Sequence, residues 1–214
     1  MTAVARPVDT REQLLLAAEG LVDERGPSGV SLREVARRVG VSHGAPLRHF
    51  ASLSDLLTAV ATEGFRLLVA GVDAAMATAE PTGRARLAGA GRGYVDCATV
   101  RPGLFALMFR RDLLAPDDPE LRTASWAAFA QLTTAIEAAQ ADGWHPDEST
   151  ALLAGATWAG VHGIAVLWSQ GAMQPPTGNT DLDGQLAVLF RTLALPDGPG
   201  PRPTGAPNPR GGTP

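Results

Sequence analysis

Apolar residues recur three and four places apart almost without interruption to residue 195, and no stretch keeps the two-residue alternation of a half-buried strand. The pattern predicts an all-α protein. Leu14, Leu15, Ala18, Leu21 and Val22 share one face of a first helix over residues 10–25, which Gly26 and Pro27 end. Ser31 and Glu34 have the spacing of a capping box, with Val30 and Val35 placed as its hydrophobic staple, so a second helix starts there. Gly40 suits a left-handed C-cap, and Ser42 then caps a third helix over residues 42–50 after a short turn. Two short helices joined so tightly make a helix-turn-helix.

Ser52 and Asp55 open a longer helix that reaches about residue 80, ahead of Pro81. Breaks at Pro102, 116–119, 143–146 and 171–178 divide residues 82–195 into about five further helices, so the whole chain holds about nine. The last two cover 147–170 and 181–195. Leu182, Leu186, Leu189, Phe190 and Leu193 give the final helix an apolar stripe, while Ala151, Ala154, Gly155 and Ala159 let a neighbour approach the helix before it closely. Paired with their symmetry mates, these two helices predict a homodimer with a four-helix interface. Residues 196–214 contain seven Pro and five Gly and are expected to form a disordered tail. The predicted organisation is a helix-turn-helix unit over 1–50, a connecting helix over 51–81, a bundle over 82–195 and the tail.

Composition narrows the function. The 214 residues are 45% apolar and 19% charged, as in a soluble globular protein, and no uninterrupted apolar run approaches the ~20 residues of a membrane-spanning helix. The N-terminus lacks the apolar core of a signal peptide, and the helices lack the Lys/Arg-rich face a bilayer surface wants, so a cytoplasmic protein without a membrane partner is expected. Cys97 is the lone cysteine and the four histidines are scattered, which predicts neither a disulfide nor a metal site. There is no Gly-rich phosphate loop, H-E-x-x-H or G-x-S-x-G, so neither an enzyme nor a cofactor is expected.

Charge changes the picture again. The net charge of −4 argues against nucleic acid, yet residues 31–50 hold four Arg against one Glu. Residues 1–50 together carry seven Arg and six acidic residues, a net of +1, which leaves −5 for the remainder. A locally basic unit on an acidic body suits DNA, because phosphate neutralisation rewards the unit while the body disfavours lying along random duplex. All eighteen basic residues are arginine, whose fork fits phosphate and guanine edges.

Residues 11–60 resemble the N-terminal DNA-binding domain of the TetR family of transcriptional regulators. Gly29-Val30-Ser31, Val35-Ala36, Val39-Gly40-Val41-Ser42, His49-Phe50 and Leu56-Leu57 fall in register without a gap. Residues 157–163, TWAGVHG, resemble the Trp and His-Gly signature of the WHG type of C-terminal domain. The resemblance implies that the third helix enters the major groove with His43, Gly44 and Ala45 toward base edges, and that Arg33 also reaches a base. Ser42 and His49 match phosphate-contacting positions, and Leu47 and Arg48 complete the candidate DNA-binding set. Two positions depart from the family: Leu47 stands where Tyr is usual and Leu53 where Lys is usual, which removes two backbone contacts. Without the resemblance, Arg37 and Arg38 serve equally well as a solvated face, His43 as an exposed polar residue, and His49 as a residue packed on the first helix.

In the bundle, Tyr94, Phe105, Met108, Phe109, Trp126, Phe129, Trp158 and His162 are bulky side chains among many alanines. They are either ordinary core or the wall of a ligand cavity. As a cavity they predict a mainly hydrophobic or aromatic small-molecule effector, oriented by Tyr94 and His162, and disfavour a strongly anionic one because no arginine but Arg92 or Arg110 is committed to that region. The expected function is a repressor released from a palindromic operator by that effector. An activator, a ligand-insensitive repressor and an interaction module that has lost DNA binding are the alternatives.

Overall fold

In the computed structural model, which describes residues 9–178 and 180–193, every regular element is helical. Helix α1 (Thr10–Arg25) buries Leu14, Ala18, Leu21 and Val22 and stops at Gly26, whose φ of 73° lies in the left-handed region. Helix α2 (Leu32–Val39) begins at Ser31, whose Oγ accepts the Glu34 amide at 3.3 Å. Only this half of the expected capping box forms. The Glu34 carboxylate accepts instead from Arg37 at 2.7 Å and pairs with Arg25 at 3.1 Å. Gly40 ends α2 at φ 79°, a conformation that costs an L-residue with a side chain about 1–2 kcal/mol.

The third helix differs from expectation. Residues 42–50 follow a helical path, but the regular part is one 3₁₀ turn, Pro46–Arg48. Proline is the cause: Pro46 has no amide to give the Ser42 carbonyl, and its ring crowds that carbonyl in an α-helix. Ala45 N takes Ser42 O in an i→i−3 bond at 2.9 Å, and Arg48 takes Ala45 O likewise. An i→i−4 bond appears only at Phe50, to Pro46 O. Ser42 therefore opens a turn and caps no α-helix.

Helix α3 (Leu53–Thr78), started by Ser52 Oγ on the Asp55 amide, runs from the helix-turn-helix into the bundle. Its first half buries Leu56, Leu57, Val60 and Ala61 against α1, and its second half buries Leu68 and Val72. Then come α4 (Gly83–Val100), α5 (Pro102–Met108), α6 (Pro119–Ala141), α7 (Thr150–Ser169), the single turn α8 (Gln174–Thr177) and α9 (Leu182–Leu193). One apolar cluster passes from α1 and α2 through α3 into Leu104, Leu107, Met108, Leu121 and Ala124, so the helix-turn-helix unit and the bundle share a core. Two smaller clusters tie α4, α6 and α7, and α4, α7 and α9.

Two expectations about the last helices change. The α9 stripe faces inward: Leu186 is buried, and Leu182, Leu189 and Phe190 pack on the cluster of α4 and α7. Two glycines make the room, since a Cβ on Gly160 would collide with Leu189 and one on Gly91 with Phe190. Ala154 is likewise fully buried within the protomer. Among the residues that α7 and α9 leave exposed are Ala151, Leu152, Gly155, Ala159 and Leu167 on one and Ala187 and Val188 on the other. Second, α7 has a mean hydropathy of 1.5 and is long and apolar enough, by length and composition, to cross a membrane, although Thr157 and His162 interrupt its apolar run. The expected tail at 196–214 lies outside the described residues.

Candidate functional site

The basic unit is built over a small floor of Val35, Ala36, Pro46 and Phe50, all buried. Arg11 lays its guanidinium over the Phe50 ring at 5.2 Å and so pins the end of the turn to α1. Above this floor Arg33, Ser42, His43, Gly44, Leu47, Arg48 and His49 are exposed and Ala45 is half-buried. His49 stays in solvent and does not pack on α1. Leu47 has 56% of its surface exposed, an apolar side chain placed outward with nothing in the protomer to cover it. Leu53 is only half-exposed and packs on the core.

The four arginines of this stretch divide into two kinds. Arg37 grips Glu34 through Nε and Nη2, which together with Arg25 holds that carboxyl down at about 2. Arg38 pairs with Glu24 of α1. Both are thus spent on holding α2, whereas no ion pair among the described residues engages Arg33 or Arg48. Gly44 has neither a positive φ nor anything within 4 Å of a Cβ, so the protomer itself makes no demand for glycine there.

Beneath α1 lies a charged joint that the sequence reading did not single out. Arg101, between α4 and α5, donates from Nε and Nη2 to Asp23 at 2.8 and 2.5 Å and from Nη1 to Glu19 at 3.3 Å. Asp23 also accepts the Leu104 amide at 3.2 Å, satisfying a free donor in the first turn of α5. A methyl at Gly103 would collide with the Val22 carbonyl, so glycine is what lets α5 touch α1. Glu19 is buried to 8% exposure, and desolvation raises its pKa against the opposing pull of Arg101.

The far end of α5 reaches a cavity of about 740 Å³ between α3, α4, α5, α6 and α7. Of the eight bulky residues proposed for such a wall, Tyr94, Met108, Phe109, Trp126, Phe129 and Trp158 line it. Phe105 and His162 do not. Phe105 is buried behind the wall, with ring centroids 5.4 Å from Tyr94 and 5.2 Å from Phe109. His162 stands behind Tyr94, whose hydroxyl lies 2.8 Å from His162 Nδ1 and accepts from Trp158 Nε1 at 3.2 Å. Burial lowers the His162 pKa and raises that of Tyr94, since in each it disfavours the charged form. These polar groups satisfy one another and do not wait for a ligand.

The wall holds residues that periodicity could not announce. Phe65, Leu68 and Val72 come from α3, and Leu132 from α6. Arg111, Asp117 and Arg122 stand on the part formed by the α5–α6 loop and the start of α6. The arginines considered in the sequence reading are occupied: Arg92 by Asp96 and Asp183, Arg110 by Asp112. Thr157 lines the cavity with a buried hydroxyl that finds no partner among the described residues.

Comparison with known proteins fits this division of labour. The model for bacterial regulatory proteins of the tetR family matches residues 14–60, and one described as a Tetracyclin repressor-like C-terminal domain matches 87–193, without specifying the WHG type. The HTH-type transcriptional repressor Rv3405c of Mycobacterium tuberculosis is 45% identical over 47 residues, covering 22% of this chain and 25% of that protein. The HTH-type transcriptional activator FasR of Mycolicibacterium smegmatis is 30% identical over 128 residues, 60% of this chain and 57% of that one. The matches thus span between a quarter and somewhat over half of those curated relatives. A solved protein of unknown function from Rhodococcus sp. RHA1 superposes with a TM-score of 0.77 at 30% identity, over 91% of this chain and all of the other. With both its helix-turn-helix and its bundle matched, the chain belongs to the TetR family of bacterial regulatory proteins.

Proposed function

We propose that the protein is a repressor that binds a near-palindromic operator as a homodimer in the cytoplasm and is released by a small, largely apolar effector. The observation that carries this reading is the span of α5. Its first turn is fixed to α1 through Asp23, Arg101 and the Leu104 amide, while Met108 and the adjoining Phe109 form cavity wall. A ligand that favours one seating of Phe109 also favours one tilt of α1 and of the reading turn, and differential affinity for two such states is all that release requires.

On the DNA side, the unpaired Arg33 and Arg48 and the open surface at Gly44 support a backbone-close approach, with His43, Gly44 and Ala45 toward base edges and Ser42 and His49 toward phosphate. Dimerisation falls to the faces of α7 and α9 left uncovered, around Leu152, Gly155, Ala159 and Val188, an assignment that also accounts for the apolarity of α7. Selection from a random duplex library tests the reading. A two-fold-symmetric site with half-site centres about 34–36 Å apart is expected, and an apolar compound that quenches tryptophan emission should lower affinity for that site in the same concentration range. Enrichment of no symmetric sequence refutes the proposal. The relative FasR is named an activator, so a reporter read with and without the regulator decides the sign of control.

A further inference from the structure

The cavity is chemically lopsided. Its interior is made by Phe65, Leu68, Val72, Leu87, Leu132 and Val161, and no cation lies among them. The Tyr94 hydroxyl there is already engaged by Trp158 and His162, and His162 itself does not line the cavity. An anion carried into this interior would lose its hydration and meet no cation, only the single hydroxyl of Thr157. At the mouth the situation reverses. Arg111 and Arg122 are both exposed, and no ion pair among the described residues engages either.

Their freedom is notable because the surrounding segment is acidic. Asp112 is taken by Arg110 at 2.7 Å and Glu120 by Arg66 at 3.0 Å, while Asp118 caps α6 by accepting the Leu121 amide at 2.9 Å. Asp117 alone of these carboxylates lies on the cavity lining, so the mouth sets two guanidinium groups against one carboxylate. Resting on the reading of this cavity as the effector site, we infer that its ligand is an amphiphile: an apolar chain or ring system fills the interior, and one anionic head, carboxylate or phosphate, is held at the mouth by Arg111 and Arg122. This replaces the expectation that Tyr94 and His162 orient a mainly hydrophobic or aromatic ligand. A planar guanidinium fork meets either oxyanion with two parallel hydrogen bonds, and the head keeps its outer face in water, so its charge is recognised without being buried.

Titration of the full-length protein by tryptophan fluorescence, with Trp126 and Trp158 as reporters on the wall, tests this with dodecanol, dodecanoate and dodecyl phosphate, each kept below its micelle concentration. At least one of the two anions should bind about tenfold more tightly than the alcohol, the surplus of a charge-assisted contact discounted for exposure. Which anion does so tells carboxylate from phosphate. The double variant R111Q/R122Q should bring that anion to the alcohol's affinity and leave the alcohol unchanged, and D117N should tighten the anion alone. If the alcohol binds saturably and the anions bind equally or more weakly, or if R111Q/R122Q weakens all three alike, the head-group assignment is overturned while the cavity remains an apolar ligand site. Binding by none of the three overturns both.

Discussion

Replacing Arg101 by Met tests whether the joint beneath α1 is held by charge. The substitution keeps an unbranched apolar stem and removes the two hydrogen bonds to Asp23 and the one to Glu19. A hydrogen bond to a charged partner contributes roughly 1.5–3 kcal/mol when shielded, and loss of one member of a buried pair costs about 3–5. Arg101 and Asp23 retain close to a third of their side-chain exposure, so solvent recovers part of the loss, and about 2 kcal/mol is expected. For a chain of this size that lowers Tm by about 4–8 °C.

The dependence on pH is more diagnostic than the size. Desolvation holds the Glu19 pKa above its ordinary 4.5, and Arg101 opposes that rise. A carboxyl whose folded pKa is raised contributes stability below its unfolded value and loses it as pH rises through the folded one. Removing Arg101 raises the folded value further, so the cost of R101M should be full near pH 8 and partly recovered near pH 5, where Glu19 takes up a proton. Thermal melts of both proteins at the two pH values decide the matter. A penalty equal at both would show that Arg101 does not stabilise the Glu19 carboxylate, and an unchanged Tm at pH 8 would show that α1 is seated by packing alone.

Other predictions follow from the same contacts. Arg48→Ala should reduce the log–log salt slope of operator binding by up to ~2 units per dimer, and Leu53→Lys should steepen it by as much, at ~0.9 per phosphate; anisotropy titrations at several salt concentrations measure both. Leu53 is half-exposed, so the lysine can run its stem along the core and lift its amine to the surface. Thr157→Val removes a buried hydroxyl that has no partner, and should leave Tm unchanged or raise stability by about 1 kcal/mol; a lower Tm would reveal a bond to that oxygen. Light scattering should give twice the 22.2 kDa chain mass, and Leu152→Glu with Ala159→Glu should give a helical monomer, because both positions are exposed in the protomer. A dimer that survives these changes would place the interface elsewhere.

Several features were legible in the sequence because they are settled within one turn of backbone. Ser31 and Ser52 each accept the amide three residues on, as their spacing to Glu34 and Asp55 predicts, and Gly40 takes the left-handed conformation that glycine alone adopts cheaply. The periodicity of the long helices belongs to the same class, since an apolar face at intervals of three and four is a property of a single segment. Even the departure of the third helix from α-helical geometry is local, because Pro46, with no amide to give the Ser42 carbonyl, lies within the segment itself.

What covers an apolar face is a different kind of question, and tertiary structure alone answered it. The stripe of α9 reads as an interface, but Gly160 and Gly91, on helices far away in the chain, make sockets for Leu189 and Phe190 and draw the stripe inside the protomer. Phe105 and Phe109 lie one helical turn apart, yet one is core and the other cavity wall, because α3, α4 and α6 leave space beside only one of them. Charge behaves likewise. The sequence concentrates four arginines in twenty residues, but Glu24 of α1 and Glu34 take two of them out of use, and the arginines that line the cavity are Arg111 and Arg122, which no motif marks. Hydrogen bonds three or four residues apart are fixed by the chain's own helix geometry, whereas a contact across dozens of residues is fixed by which surfaces remain after the helices have packed.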